Sequence, residues 1–279
     1  MSEKVTTIKQ WQEERSFQES LRDSLRNFVV SGLSIVRRIP KSAQQIRFPY
    51  YHHVFDDERA GFARQLAYLK NFGDFISVDD ALDLMASPGK LNGQYFCVTF
   101  DDGFKNCLTN ALPILVDEGV LALFYIATSF VGRRLDAGHP EAAAVFGFRC
   151  QTASLDFLDW DDCRTLTENG LQIGSHSVSH PTFTGLRPQE MLYQLADSRR
   201  EIEVRIGRAC DHFCIPYGMP LSSSSYPALI DAAQSVGYRS IATGIRGANS
   251  AGQNPFELRR DHLLANWSNP QLRYFFAQP

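Results

Sequence analysis

Three short segments carry side chains able to do hydrolytic chemistry. The first is Thr99-Phe100-Asp101-Asp102-Gly103, two adjacent carboxylates at the end of an apolar run. Bringing two acids near a core is costly unless a cation or hydrogen bonds compensate. Neighbours in an extended chain point opposite ways, so one acid can ligate a metal while the other takes a proton. The second is His176-Ser177-Val178-Ser179-His180, whose two imidazoles can grip one ion. It lacks the Glu of the helical zinc-protease motif and is followed by Pro181, so it is a different device. The third is Phe213-Cys214-Ile215-Pro216-Tyr217-Gly218, where the backbone N–H after Pro216 can serve as an oxyanion donor. Alone, the first is as readily a solvated Asp-Asp-Gly turn, the second two loop histidines and the third a strand closed by a turn. Together, Asp102, His176 and His180 make a two-His, one-carboxylate set with open positions for water and a substrate oxygen. Asp101 is then the unligated acid that accepts the proton from that water.

All three segments sit where a buried strand stops, which is the rim on which α/β barrels place catalysis. From about residue 45 the pattern alternates strand and helix. Strands are expected at IRFPYYHHV, DFIS, YFCVTF, LALFYIAT, LQIGSHS, HFCIPYG and YRSIATG, with one more in FELRRDHLLANW. The intervening periodic segments read as helices, several closed by glycine. Gly132–Asp156 shows no clear period. Apolar strands alternating with helices predict a parallel sheet covered on both faces, and the length favours one barrel over an open sheet.

The expected domains are a helical extension over 1–44 and a catalytic barrel over 45–279. In the extension, Phe17, Leu21, Leu25, Phe28 and Leu33 recur near one helical turn over residues 7–36, ringed by Arg15, Arg22, Arg26, Arg37, Arg38 and Lys41. The favoured reading is a helix packing this stripe on the barrel. The alternative is a peripheral contact with anionic lipid.

With 279 residues, 44% of them hydrophobic, the chain can bury a large core. A net charge of −3 and the lack of a basic stripe argue against nucleic-acid binding. Six scattered cysteines without a C-x-x-C pair, and charged residues throughout 1–27, lead us to expect a cytoplasmic protein, with membrane association through the N-terminal helix as the variant.

The order TFDDG, HSxxH and FxxPYG resembles the polysaccharide deacetylases, carbohydrate esterase family four. The likeness extends to YHHV, to the Phe62–Ser77 region, to FLDW and to NGLQIGSHSVSHPTFTGL, over roughly residues 46–265. It implies a distorted (β/α) barrel with fewer than eight regular strands. It implies a divalent metal, usually zinc, on Asp102, His176 and His180, with cobalt and nickel as further candidates. It also implies Asp101 as general base and the Tyr217 N–H as oxyanion donor.

Two departures bear on the site. Cys214 stands where many members carry an Arg that orients the catalytic acid, and Arg259 or Arg260, the latter preferred, is expected to supply that charge. Asp261 stands where a Leu-x-x-His motif would place its His, and His262 follows one position later. Tyr51-His52 resembles the Tyr-His of the poly-N-acetylglucosamine deacetylase branch, in which the strand order is permuted. That likeness makes His52 the expected general acid and His262 the reserve. His53 is expected to face away, and His139 and His212 to be ordinary surface or loop residues.

The expected function is metal-dependent removal of an N-acetyl group, released as acetate, from an amino sugar. The acetylated carbohydrate would be a saccharide, a glycolipid or a nucleotide-sugar intermediate. The alternatives are a related hydrolase of O-acetyl esters, formyl groups or non-sugar amides, and a barrel without activity.

Overall fold

The computed structural model describes residues 3–12, 30, 32–34, 37–40, 43–87, 89–218 and 220–277. Seven short parallel strands form one curled sheet: β1 (Pro49–Tyr51), β2 (Val98–Phe100), β3 (Ala122–Ile126), β4 (Gln172–Ser175), β5 (His212–Cys214), β6 (Ser240–Ala242) and β7 (Asp261–His262). The spatial order is β6-β5-β4-β3-β2-β1-β7. The segment 258–262 joins the two edges. Leu258 bridges to Ala242 beside β6, and three residues later Asp261 and His262 pair with Pro49 and Tyr50 of β1. The architecture is the distorted (β/α) barrel expected from the sequence.

Alternation along the strands sorts the side chains. Ala122, Phe124 and Ile126 of β3 pack outward in the larger core, beneath the helices Arg59–Leu69, Trp160–Glu168 and Pro188–Ile206. Leu123 and Tyr125 point the other way and pack with Phe48, Cys214, Ala242 and Leu258. The interior is therefore a filled core, as barrels require. Each fully buried Phe or Leu there contributes about 1.5–3 kcal/mol.

The single strands expected over 46–54 and 95–100 are each split, at Phe48 and at Cys97. Their first halves, Gln45–Arg47 and Gln94–Phe96, form a separate parallel sheet with Asp74–Phe75. Gly132–Asp156 is not irregular. It holds strands Arg134–Leu135 and Ala153–Asp156 and, between them, the helix Pro140–Phe146. The strands are antiparallel to each other, and Glu3–Lys4 pairs with the second. Strands of two to four residues carry no readable period, so this small sheet had no signal.

The helix expected over 7–36 begins as a short helix Ile8–Trp11, capped at Gln12. Phe17, Leu21, Leu25 and Phe28 lie outside the described residues, and Leu33 is exposed rather than packed. The tail adds a helix, Asn269–Phe276, beyond its expected strand. His212 is not a surface residue. It is buried in β5, with Nδ1 2.9 Å from Ser240 Oγ and Nε2 3.4 Å from Asp79. Among the described residues no helix is long and apolar enough to cross a membrane.

Candidate metal centre and active site

The three chemical segments leave the C-terminal ends of β2, β4 and β5, which are neighbours or near neighbours in the sheet. The turns are tight. Asp102, Ser177, His180 and Tyr217 are the non-glycine residues with positive φ among the described residues, at 71°, 72°, 57° and 57°. All four lie in these segments, and such conformations persist only where surrounding contacts enforce them. The left-handed turn at Asp102, rather than simple strand alternation, is what separates the two carboxylates. The His176–His180 loop is held by Gln194 of the helix Pro188–Ile206, whose Oε1 accepts from the Val178 and Ser179 N–H at 2.9 and 3.0 Å.

Asp102 Oδ1 lies 3.3 Å from His176 Nε2 and 3.1 Å from His180 Nε2, with all three side chains buried. A tetrahedral ion with bonds of about 2.0–2.1 Å has edges of roughly 3.3–3.4 Å, so both imidazole nitrogens stand near ligand spacing from the acid oxygen, and the three ligand atoms all lie within 4.8 Å of one another. His176 Nδ1 donates to the Cys214 carbonyl at 2.8 Å. That bond leaves the Nε2 lone pair facing the centre, the tautomer a metal needs. Burial alone would raise the Asp102 pKa, but the closeness of His176, His180 and His52 brings it well below the usual carboxylate range. The donor set fits a divalent cation of borderline softness, such as zinc.

A second grouping, Asp101, His176 and Cys214, is also close enough to share an ion. Here a cation is already present. Arg260, 2% exposed, directs all its donors at neighbours. Nη1 reaches Asp101 Oδ1 at 2.7 Å and Thr99 Oγ1 at 3.2 Å; Nη2 reaches Asp101 Oδ2 at 2.8 Å and Cys214 Sγ at 3.0 Å; Nε reaches the Thr243 carbonyl at 2.9 Å. The guanidinium also lies 4.0 Å from the Tyr50 ring centroid. A second positive charge beside this fork would be repelled, so the first grouping is the one able to hold an ion. Burial works against an ionised Asp101, but the charge and hydrogen bonds of Arg260 outweigh it and hold the carboxyl below its ordinary range. Arg259 is exposed and does not enter the site.

His52, on the residue after β1, stands at the open side of this centre. Its Nε2 is 4.0 Å from Asp102 Oδ2 and its side chain is one-third exposed. Its Nδ1 is 3.2 Å from His262 Nε2. The two candidate acids are thus brought together rather than separated. Asp261 points away, buried between Arg47 at 3.3 Å and Arg246 at 3.1 Å. His53 turns aside into an aromatic nest, stacked on Phe104 and Phe55, with Trp11 tilted over it. The Tyr217 backbone N–H has no protein acceptor among the described residues, while its hydroxyl donates to the Val145 carbonyl at 2.7 Å. His139 caps the helix Pro140–Phe146 and takes no part.

These groups line one cavity of about 680 Å³. One wall is polar: Asp101, Asp102, His52, His176, His180 and Arg260. Trp11, Phe104, Val145 and Phe146 add apolar surface to the lining.

A family profile described as polysaccharide deacetylase matches residues 89–241. The chain belongs to the polysaccharide deacetylase family. Among curated proteins, this deacetylase-family chain is 23% identical over 185 residues to YxkH of Bacillus subtilis (strain 168). The match covers 66% of the present chain, which spans only 57% of that relative's length. Among solved structures, IcaB from Ammonifex degensii shares the fold with a TM-score of 0.70 at 21% identity, over 85% of this chain and 98% of that one. The Streptococcus pyogenes deacetylase PplD, solved with acetate, gives 0.65 at 19% identity, over 83% and 98%.

Several lining residues of this deacetylase-family site had no signal in the sequence. Trp11 and Ile8 reach the cleft because Glu3–Lys4 pairs with a strand 150 residues away. Glu58 lines it too, 2% exposed, and burial pushes its carboxyl up to about 7.

Proposed function

We propose that the protein is a metal-dependent N-deacetylase of an acetylated amino sugar, releasing acetate. The observation that carries the reading is the pairing of two carboxylates with opposite fates. Asp102 lies beside two buried imidazoles, close enough to share an ion with them, and Asp101, the residue before it, is paired instead with the Arg260 guanidinium.

A zinc ion on Asp102, His176 and His180 would lower the pKa of a water and polarise an acyl oxygen. Asp101 accepts the proton of the attacking water, and Arg260 keeps that carboxylate charged and aimed. The Tyr217 N–H donates to the acyl oxygen as it gains negative charge. His52 gives a proton to the departing amine. The apolar wall of Trp11, Phe104 and Phe146 offers flat surface for the less polar face of the substrate.

An acetate-release screen tests this. Acetylated amino sugars, O-acetyl sugars and formylated amines are offered to the protein loaded with zinc, cobalt or nickel. Acetate from N-acetyl substrates, abolished by a chelator, supports the reading. Release from O-acetyl esters alone would replace it with an esterase.

A further inference from the structure

His262 was a second candidate for the acid role, yet the structure gives it a different relation to the reaction. It sits behind His52, on the side away from the triad. Its backbone is pinned on β7: the His262 carbonyl accepts from Arg246 at 2.9 Å, and the flanking Asp261 and Leu263 N–H groups donate to Phe48 and Tyr50 of the β1 region. Its ring lies against Tyr50, 4.9 Å between centroids, and edge-on to His52. A ring fixed this firmly can dictate where a freer neighbour points.

We propose that His262 is the positioning residue of His52, accepting a hydrogen bond from His52 Nδ1–H so that His52 Nε2–H faces the substrate amine. This rests on the deacetylase reading above. The direction of the bond follows from the role of His52: an imidazole ready to give a proton carries N–H on both ring nitrogens, so His52 Nδ1, 3.2 Å from His262 Nε2, can only donate. Burial, with His52 beside it and the positive charges of Arg246 and Arg260 nearby, pushes His262 down to about 3, so its ring stays neutral and can accept on Nε2 with its own proton on Nδ1. When His52 gives its Nε2 proton to the leaving nitrogen, the Nδ1 proton stays in the His52–His262 bond. The ring is therefore ready in the same orientation for its next proton. The arrangement does for an imidazole what a buried acceptor does for a metal-bound His: it fixes tautomer and ring angle.

The test compares His262→Phe, His262→Gln and wild type as full-length, zinc-loaded protein. The Gln side-chain oxygen can take the place of Nε2 as acceptor; Phe cannot. Two probes are used, an N-acetylglucosamine oligomer and 4-nitrophenyl acetate, whose phenolate leaves without needing a proton. His262→Phe should lower kcat on the oligomer on the order of 10–100-fold, with KM, zinc content and the aryl acetate rate within about twofold of wild type. His262→Gln should recover most of the loss. Equal losses in both variants and on both probes would overturn the proposal in favour of a structural role. A wild-type rate in His262→Phe would remove any role, and a dead His262→Phe beside an active His52→Ala would make His262 the donor itself. A downfield imidazole N–H proton resonance gives a readout independent of turnover. It is expected in wild type and absent from both His262→Phe and His52→Ala; its absence from wild type overturns the pairing. If wild type cleaves neither probe while showing that resonance, the deacetylase reading fails and the pairing stands.

Discussion

Arg260→Met isolates the device on which the site's charge balance depends. The replacement is similar in length and apolar, and it leaves Asp101, 3% exposed, without its bidentate partner. The Thr243 carbonyl and Thr99 hydroxyl lose a donor as well. Removing one member of a buried pair costs about 3–5 kcal/mol, because the remaining charge is stranded. In a chain of this size that lowers the Tm on the order of 10 °C. The pH dependence has a definite sign. In the wild type Asp101 titrates lower when folded than when unfolded, so its contribution to stability is complete above the ordinary carboxylate range and fades as pH falls through the depressed native value. In the variant burial is opposed only by the lesser influence of His176 and His52, so the Asp101 pKa rises from its native value. The loss should therefore be greatest near neutrality and shrink as acid protonates Asp101. The acid limb of the pH–rate profile should move to higher pH. Urea unfolding at pH 7 and pH 5, with Asp101→Asn/Arg260→Met as the partner of a double-mutant cycle, measures this. The double variant should be more stable than Arg260→Met alone. A loss under about 1 kcal/mol at pH 7, well short of the cost of a stranded buried charge, or a double variant no better than the single, would refute the argument.

Asp101→Asn should keep fold and metal and lower kcat by about 10²–10⁴, the usual worth of a positioned base; a wild-type rate by acetate assay would remove Asp101 from that role. His180→Ala should lose bound zinc by elemental analysis together with activity, since it deletes one of the two imidazole nitrogens that lie 3.1 and 3.3 Å from Asp102 Oδ1. Tyr217→Phe should cost about 0.5–1.5 kcal/mol through the bond to Val145 while leaving kcat within a few-fold, because the backbone N–H is untouched; a hundredfold fall would assign the hydroxyl to the chemistry.

The rim positions of the three motifs were legible because each pairs an apolar run with abrupt polarity, a pattern that marks where a buried strand ends. Whether Arg259 or Arg260 faces inward was a matter of register. The bridge at Leu258 and the pairing of Asp261 set it, placing Arg260 inside and its neighbour in solvent. The Trp11 wall was not legible. It depends on a two-residue strand whose partner is remote, and no local period betrays such a pairing. Nor did the sequence tell that two histidines 210 residues apart would hydrogen-bond. That contact follows from β7 lying beside β1, and sheet order is a property of the whole chain.

The seam made by residues 258–262 has a consequence for biogenesis. During synthesis Asp102, His176 and His180 emerge well before the arginine that steadies Asp101, which lies 159 positions downstream of it. Contacts so distant in sequence form late, because the chain must first surrender the freedom of the loop between them. A nascent polypeptide can thus gather Asp102, His176 and His180 while Asp101 still lacks the arginine that pairs with it. Catalytic competence should arrive abruptly, with the last strand to be translated, rather than accumulate as the barrel grows.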